Sequence, residues 1–304
     1  MNALLSEALH AFGLTQAEFI QQHENAVYRA DEKYLLRIHK AAEGLHVDHA
    51  PAQRRAELAF LRHLADAGMN VQRPLAEAVL SDGTQATLLT WLEGHHITAA
   101  EFTADMQRQI GAMAAHLHRA AAGFRHDAMR RYDAAHIARL MNALRQMGDK
   151  HHLNMNEIAV ACNAAQVIAD RIDSASGEFI AIHCDLSRSN ILLTEGVPVP
   201  IDFSLCGFGH PMHDLGILLG NTRTQAQRHA MAEGYAAAGG QIILPLLDAG
   251  YTLGLLEALA FHADVWPKED WFAPRLTRWV KDQLRPLAEG KPILDEHMYL
   301  VNLL

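Results

Sequence analysis

The hydrophobic pattern of this 304-residue chain changes near residue 90, and that change limits the folds it can adopt. Before it, short apolar runs of strand length are separated by turn residues such as Asp31-Glu32-Lys33 and Ser81-Asp82-Gly83, which is typical of hairpins. A short helix is predicted at Ala3–Phe12, and Pro51 opens an amphipathic helix that ends at Gly68. The predicted strands are Ala17–Gln21, Ala26–Ala30, Tyr34–His39, Val71–Leu80 and Gln85–Thr90. The first part of the chain therefore predicts a small antiparallel sheet with one packed helix.

After this point, apolar residues recur mostly at helical spacing. Thr98 and Glu101 have the spacing of a capping box, and the helix predicted after them has an apolar face from Met106 to Leu117. Further helices are predicted at 134–147, 156–172, 224–238, 244–261 and 271–287. Strand-like runs at 179–182, 191–193 and 199–201 predict one β-hairpin within this helical part. We expect an α+β fold of two lobes, residues 1–93 and residues 94–304, with a ligand cleft between them.

Charge and composition argue against several classes of partner. A net charge of −9 and a pI near 6.1 disfavour broad nucleic-acid binding, which needs a basic surface. The N-terminus lacks the basic region of a signal peptide, and Pro245, Asp248 and Glu257 interrupt the most apolar later stretch, so no membrane span is expected. Three cysteines without metal-ligand spacing indicate a reducing compartment, and we expect a cytoplasmic protein. The sequence leaves the oligomeric state open.

Polar residues with a distinctive spacing lie between the strand-like runs, in the stretch AIHCDLSRSNILL. His183 and Asp185 are followed by Asn190 five positions after the Asp, and Asp202 follows the next apolar run in PIDF. A hairpin would bring these groups to one edge. Two carboxylates and an amide oxygen suit Mg²⁺, which takes few protein ligands and completes its shell with water and phosphate.

The same residues predict phosphoryl transfer. One Asp can accept the proton of an attacking hydroxyl while the metal neutralises phosphate charge. The spacing of Asp185 and Asn190 matches the kinase catalytic loop, H-R-D followed by four residues and Asn, and Asp202 follows as a metal motif would. A hairpin turn built from Asp, Ser and Asn is the plain structural alternative.

The first lobe then offers candidates for nucleotide binding in the expected order. The stretch HENAVYRA, which contains Asn25, would form a turn over the phosphates. Arg37 occupies the strand position where a kinase carries its phosphate-contacting Lys, and Glu57 on the next helix would pair with that cation. In LLTWLEG, the backbone around Trp91, Leu92 and Glu93 could reach an adenine.

These motifs together resemble the aminoglycoside phosphotransferase and choline-kinase-like family of small-molecule kinases. The resemblance extends from ENAVYR through YLLRI, LLTWLEG, HLHRA and IHCDLSRSNILL to PIDFSLCGFGHPMHDLG. It implies a protein-kinase-like fold and the use of ATP with Mg²⁺ to phosphorylate a hydroxyl group. It also implies that Asp185 is the catalytic base, that Asn190 and Asp202 bind the metal, and that His183 and Asp214 brace the loop.

The chain departs from the family pattern at three places. Arg37 replaces the usual Lys, although an Arg fork can still clamp phosphate. The segment from His23 to Arg29 contains no Gly for a glycine-rich phosphate loop. Cys184 replaces the usual Gly before the catalytic Asp, and Ser187 replaces a common His. Arg188 is either a contact of the γ-phosphate or a surface residue.

Other clusters of residues give weaker support for metal or thiol chemistry than the residues above give for phosphoryl transfer. His116 and His118 point to different faces of a helix, and His210 with His213 suits a helix start better than zinc. Cys184 lacks a visible partner for thiol catalysis. Late acidic and aromatic residues, among them Glu257 and Trp266, would suit an amine-bearing acceptor, but a solvated helix end with two core tryptophans explains them better, and no site residue is predicted there.

We therefore predict an ATP- and Mg²⁺-dependent kinase that phosphorylates a small-molecule hydroxyl, with an aminoglycoside, choline, homoserine or a sugar-like compound as acceptor. A protein Ser/Thr kinase is one alternative, although only eleven residues separate Asp202 from Asp214, too few for an extended peptide-docking segment. A nucleotide-binding regulator without catalysis is the other alternative, and the presence of Asp185, Asn190 and Asp202 disfavours it.

Overall fold

A computed structural model of the chain describes residues 3–22, 25–39, 51–175, 178–222 and 224–294. The first region is a five-stranded antiparallel sheet in the order β1-β2-β3-β5-β4, with one helix before it and one within it. Its elements are α1 (Ala3–Phe12), β1 (Ala17–Gln22), β2 (Asn25–Ala30), β3 (Tyr34–His39), α2 (Pro51–Asp66), β4 (Pro74–Val79) and β5 (Gln85–Thr90). The predicted sheet and helices are confirmed.

Local sequence explains the two hairpins of this sheet. Asp31 and Glu32 between β2 and β3 both have positive φ, 44° and 59°, as a type I′ turn requires. Gly83 between β4 and β5 has a φ of 87°, which a residue without a Cβ adopts at little cost, and Asp82 accepts a hydrogen bond from the Thr84 amide. These turns fix the register of β2 against β3 and of β4 against β5.

Helix α2 joins the sheet to the rest of the molecule. The apolar residues predicted for its inner face, Leu58, Phe60, Leu61 and Leu64, are all buried. Phe60 packs against Phe203, with ring centroids 5.9 Å apart, and against Phe124 at 5.0 Å. Because Phe203 follows Asp202 directly, this packing also positions Glu57, on the same helix, relative to Asp202.

The second region is mainly helical. Its helices are α3 (Ala104–Ala120), α4 (Ala134–Lys150), α5 (Met155–Ser174), α6 (Met212–Gly220), α7 (Gln225–Ala237), α8 (Leu244–Phe261), α9 (Phe272–Trp279) and α10 (Arg285–Ala288). A π-helical segment, Val280–Leu284, joins α9 to α10 and interrupts the single helix predicted for 271–287. The boundary at residue 93 stays a proposal, although β5 ends at Thr90 and the next strand belongs to the larger lobe.

Two small sheets contain the predicted strand-like runs: the runs predicted at 191–193 and 199–201 pair as an antiparallel hairpin, as expected, whereas the run at 179–182 belongs to the other sheet. One sheet contains β6 (His95–His96), β9 (Ile191–Thr194) and β10 (Val197–Pro200). The other contains β7 (Arg130–Arg131), β8 (Ile180–Ile182) and β11 (Gly207–Gly209). Since β8 pairs with β11 and not with β9, the catalytic-loop stretch connects two sheets. The strands with only two or three residues carry too little periodic signal to be predicted.

Helix starts also differ from the prediction. Thr98 and Glu101 do exchange hydrogen bonds, with the Thr98 hydroxyl donating to Glu101 at 2.7 Å, but they close a turn before the helix. Helix α3 begins at Ala104, and Thr103 caps it by accepting from the Met106 amide. Thr103, and not Thr98, is therefore the N-cap residue of this helix.

The longest apolar helix, α8, forms part of the core of the larger lobe. It is the one described helix with the length and composition of a membrane span, and 56% of it is buried inside the protein. Gly250 on α8 lies against the backbone of Met212, and Gly216 on α6 lies against that of Tyr251, so closely that a Cβ at either position would clash. This close crossing of α6 and α8 forms one wall of the site described below.

Candidate active site

A cavity of about 990 Å³ lies between the two lobes. The smaller lobe contributes Asn25 and Arg37, and the larger lobe contributes Asp185 and Asp202. Beyond Asp185 the cavity continues along α4, α6, α8 and the segment after α9. The two lobes thus enclose one continuous space with room for two ligands.

The catalytic-loop stretch holds Asp185 through an unusual backbone conformation. Cys184, just before it, has a φ of 66°, the left-handed region that favours Gly. This explains why the resemblance places a Gly at this position. The Cys184 side chain is buried, and Ile182, Tyr132 and Cys184 form a small apolar cluster under the loop.

Asp214 fixes the same loop from below. Its carboxylate accepts hydrogen bonds from the backbone amides of His183, at 2.9 Å, and of Cys184, at 2.7 Å. His118 on α3 contacts the same carboxylate at 3.1 Å and Tyr235 at 2.9 Å. Burial would raise the pKa of Asp214, but the hydrogen bonds and charge of His118 and the His183 amide hold it below its ordinary value. The bracing geometry predicted for Asp214 is present.

His183 sits between the loop and the metal motif. Its Nε2 lies 2.9 Å from the Ile201 carbonyl, and its Nδ1 accepts from the Asp185 amide at 3.3 Å. The ring also packs on Phe203, with centroids 4.4 Å apart, so His183 ties the loop to the segment that carries Asp202.

The environment of Asp185 suits a general base. Burial raises its pKa to about 6, the nearby charge of Asp202 adds to this rise, and a hydrogen bond from Asn190 opposes it. A carboxylate with this pKa is ionised near neutral pH and still basic enough to accept a proton in a transition state. Asp185 lines the cavity, where an acceptor hydroxyl could approach it.

Asn190 and Asp202 offer oxygen atoms to a metal. The Asn190 amide nitrogen donates to the backbone oxygen of Asp185 at 2.9 Å and to its carboxylate at 2.7 Å. This arrangement leaves Oδ1 of Asn190 as the atom that can coordinate a metal. Asp202 has a φ of 60°, and its side chain is 45% exposed toward the cavity. In the described parts of the chain, no cluster of three His, Cys, Asp or Glu is placed to hold a metal. These hard oxygens fit Mg²⁺ completed by phosphate and water.

Arg37 and Glu57 form a buried ion pair at the predicted position. The guanidinium Nη2 lies 2.5 Å from Oε1 of Glu57, and both side chains are about 5% exposed. Nη1 of Arg37 lies 3.8 Å from the Asp202 carboxylate. The pair therefore connects β3, α2 and the metal motif, as a kinase Lys–Glu pair does.

The residues predicted to contact the nucleotide near the lobe junction differ in whether they line the cavity. Asn25 lines the cavity and contacts His39 at 3.0 Å. Trp91, Leu92 and Glu93 are not among the described residues that line the cavity. Arg29 stacks over the Trp91 ring and pairs with Glu93. His23 and Glu24, at the start of the predicted phosphate turn, lie outside the described residues.

Arg188 does not line the cavity in the described structure. Its guanidinium lies over the Phe102 ring, 5.3 Å from the centroid, and the side chain is partly buried. This stacking favours the surface interpretation over a γ-phosphate contact.

A cluster that the sequence analysis did not predict lies beside Asp185. Glu257 on α8 contacts His136 of α4 and His213 of α6, both at 2.9 Å, one through each carboxylate oxygen. Burial would raise the pKa of Glu257, but the charge of His213 and the two histidine contacts lower it to about 2. Against the effect of burial, Glu257 raises the pKa of His213. The three residues lie far apart in sequence, so only their individual types could have suggested this cluster.

The three cysteines offer no thiol chemistry. All are buried and free. Burial is the main cause that raises the pKa of Cys162, Cys184 and Cys206, so the nucleophilic thiolate is disfavoured at each.

A sheet lobe, a helical lobe and carboxylates in the cleft between them define a kinase-like phosphotransferase. Solved structures of small-molecule kinases share this fold. An amicoumacin kinase in complex with AMP-PNP and Ca²⁺ is 13% identical, with a TM-score of 0.70, 96% of this chain covered and 95% of that one. A microcompartment-associated aminopropanol kinase is 18% identical, with a TM-score of 0.70 and coverage of 95% and 97%. A spectinomycin phosphotransferase with ADP and spectinomycin is 14% identical, with a TM-score of 0.66 and coverage of 95% and 98%.

The family follows from the sequence. The model of the phosphotransferase enzyme family matches residues 16–253, which is more than half of the chain. No curated protein matches the sequence significantly. This chain belongs to the phosphotransferase enzyme family.

Proposed function

We propose that this kinase transfers the γ-phosphate of ATP, with Mg²⁺, to a hydroxyl group of a small molecule. The observation that carries this proposal is that Arg37, Asp185 and Asp202 face one cavity, with Glu57 and Asn190 bonded directly behind them. The kinases of similar fold, named for amicoumacin, aminopropanol and spectinomycin, support a small-molecule acceptor.

Each residue has a separate task in this proposal. Arg37, held by Glu57, binds phosphate oxygens, while Asn190 and Asp202 hold Mg²⁺. When bound, Mg²⁺ neutralises charge on the phosphates. Asp185 accepts the acceptor proton, and its hydrogen bond from Asn190 fixes the carboxylate toward the cavity. His183 and Asp214 keep the loop in place, Asn25 lies near the phosphates, and residues 91–93 border the base. Arg188 is assigned no catalytic task.

The test combines binding with turnover. Thermal shift with Mg·ATP and Mg·GTP measures nucleotide binding, and ADP release is measured with aminoglycosides, choline, homoserine and sugar amines. We expect Mg·ATP to raise the melting temperature of both the wild type and Asp185→Asn. Turnover of the variant should be about 10²–10⁴-fold lower, the usual contribution of a general base. The proposal fails if the wild type does not bind Mg·ATP, or if the variant turns over as fast.

The same assay separates the two alternatives. A protein kinase would label proteins from a lysate with γ-labelled ATP and ignore small acceptors. The segment between Asp202 and Asp214 does not favour this, because β11 and a short 3₁₀ turn at Phe203–Leu205 occupy it. A non-catalytic regulator would bind nucleotide without any turnover. A cytoplasmic location stays a prediction from the sequence.

A further inference from the structure

The charge on the acceptor side of the cavity defines a substrate class. This inference rests on the proposed function, since it concerns the part of the cavity beyond Asp185. That part is bounded by α4, α6, α8 and the segment after α9. Which acceptors fit there depends on which charged groups on these walls remain free to bind a ligand.

The carboxylates of the cavity are already engaged. Three described carboxylates line it, namely Asp185, Asp202 and Glu257. The proposed function uses the first two for the acceptor hydroxyl and the metal. Both oxygens of Glu257 contact histidines at 2.9 Å, and its charge is balanced by His213, whose pKa it raises. A polyamine acceptor would therefore find no free carboxylate among the described residues on these walls.

Among the described arginines that line the cavity, all but one are engaged as well. Arg37 pairs with Glu57, and Arg131 pairs with Asp133 at 3.2 Å and lies over Phe179. Arg130 donates to Gln53 at 2.9 Å and to the Ser204 carbonyl at 3.1 Å. Arg139 lines the cavity from α4, one turn after His136, and no described side chain pairs with it. Its guanidinium is exposed and permanently charged.

An aromatic wall completes the acceptor side. Phe261, His262 and Trp279 line it, and Trp266 stacks on His262 with ring centroids 4.3 Å apart. Aromatic faces can bind an ammonium group, with about 0.5–2 kcal/mol of stabilisation. A free Arg in the same cavity repels such a group and attracts an anion. A guanidinium fork matches a carboxylate through two parallel hydrogen bonds, which are stronger than neutral ones.

We propose that the acceptor of this kinase carries an acidic group, a carboxylate in its simplest form, in addition to its hydroxyl, and that Arg139 binds this group. The acceptor class is then hydroxy acids and hydroxy amino acids, with polycationic aminoglycosides disfavoured. Arg139 determines specificity and takes no part in the transfer itself, so its loss affects acceptor binding more than turnover.

Three acceptors of matched length test the class directly. 4-Hydroxybutyrate carries the acid alone, homoserine carries acid and amine, and 3-aminopropan-1-ol carries the amine alone. We expect kcat/KM to be at least about tenfold higher for the better of the two acids than for the amino alcohol, the effect of a charged hydrogen bond. Choline and kanamycin are included as a quaternary ammonium and a polycation.

Variants test the assigned residue. Arg139→Gln should raise the KM for the acid at least about tenfold with kcat changed less than about threefold, and should leave the KM for 3-aminopropan-1-ol unchanged or lower, because the variant removes a repelling charge. Arg145→Gln is the matched control, because Arg145 lies on the same helix, is exposed and donates to Asn142 outside the cavity. It should change neither acceptor.

The outcomes separate this inference from the proposed function. If Mg·ATP does not bind and no acceptor yields ADP, the proposed function fails first. If Mg·ATP binds but an amine-only acceptor is used as well as the acids, the acceptor class is overturned. The same holds if neither acid reacts nor binds in calorimetry. If Arg139→Gln behaves like Arg145→Gln, the assignment of Arg139 is wrong.

Discussion

Two ion-pair clusters flank Asp185, and they differ in chemistry. On the nucleotide side, Arg37 and Glu57 form a buried pair 2.5 Å apart. On the acceptor side, Glu257 lies between His136 and His213. An Arg keeps its charge at all physiological pH values, whereas a His can release its proton. The charges of Arg37 and Glu57 are thus fixed at physiological pH, whereas the charge of the second cluster changes when His213 gains or loses a proton.

Removing the carboxylate should therefore cost more on the nucleotide side. In Glu57→Gln, Arg37 keeps a buried charge with only the more distant Asp202 as partner, and breaking such a pair costs about 3–5 kcal/mol of unfolding free energy. In Glu257→Gln, His213 can lose its proton and both histidines can keep hydrogen bonds to the amide, so a loss of about 1–2 kcal/mol is expected. Denaturant unfolding at pH 7 measures both. Equal losses would remove the distinction between the clusters.

Acid should reduce the difference between wild type and Glu257→Gln. The folded pKa of Glu257 is about 2, below its ordinary value of 4.5. A lowered pKa contributes stability above pH 4.5, and this contribution is lost as the pH falls toward 2. The raised pKa of His213 contributes stability that is lost as the pH rises through its folded value. Melting curves across pH should show the largest gap between these limits. A gap that does not depend on pH would contradict the assigned charges.

Cys184 tests the loop that holds Asp185 between the clusters. Gly adopts a φ of 66° without the strain that an L residue carries, about 1–2 kcal/mol. We expect Cys184→Gly to keep activity within a few-fold, and Cys184→Ala to keep activity as well. In Cys184→Gly, the packing lost with the side chain should partly offset the stability gained from the relieved strain. Turnover with Mg·ATP and an accepted substrate is the measurement. Near-complete loss of activity in both variants would show that the thiol has a function that its burial does not explain.

Arg188 provides the smallest expected effect, because it belongs to neither cluster. Loss of its stacking on Phe102 should cost about 0.5–1 kcal/mol of stability. We expect Arg188→Ala to change kcat less than about twofold, the size expected for a residue outside the transition-state contacts. Steady-state kinetics at saturating ATP checks this. A hundredfold loss of kcat would indicate instead that Arg188 contacts the γ-phosphate.

The sequence predicted that Arg37 pairs with Glu57 near Asp202, but it did not predict the cluster around Glu257, and the origin of the two clusters explains why. Arg37, Glu57 and Asp202 occur in a fixed order on elements with clear strand or helix periodicity. His136, His213 and Glu257 come from three helices, and only the crossing of α6 and α8 and the packing of α4 bring them together. The strand pairing of β8 with β11 was missed for the same reason, since strands of three residues carry almost no pattern.

Helix caps show the same limit on a local scale. Both Thr98 and Thr103 precede the α3 pattern, and the sequence alone does not decide which one caps it. The positive φ of Cys184 was also not predictable from the chain itself, because Cys has no preference for that region. Only the resemblance to a family with Gly at this position indicated a special backbone.

The central claim is that Glu57 serves the nucleotide by holding Arg37, whereas Glu257 binds neither substrate because both of its oxygens contact histidines. The most direct measurement is steady-state kinetics of Glu57→Gln and Glu257→Gln with both substrates varied, at a temperature where both variants are folded. We predict that Glu57→Gln raises the KM for ATP at least about tenfold and leaves the acceptor KM within about threefold, whereas Glu257→Gln leaves both KM values within about threefold. If Glu257→Gln raises either KM tenfold, or if Glu57→Gln changes neither KM, the claim is contradicted.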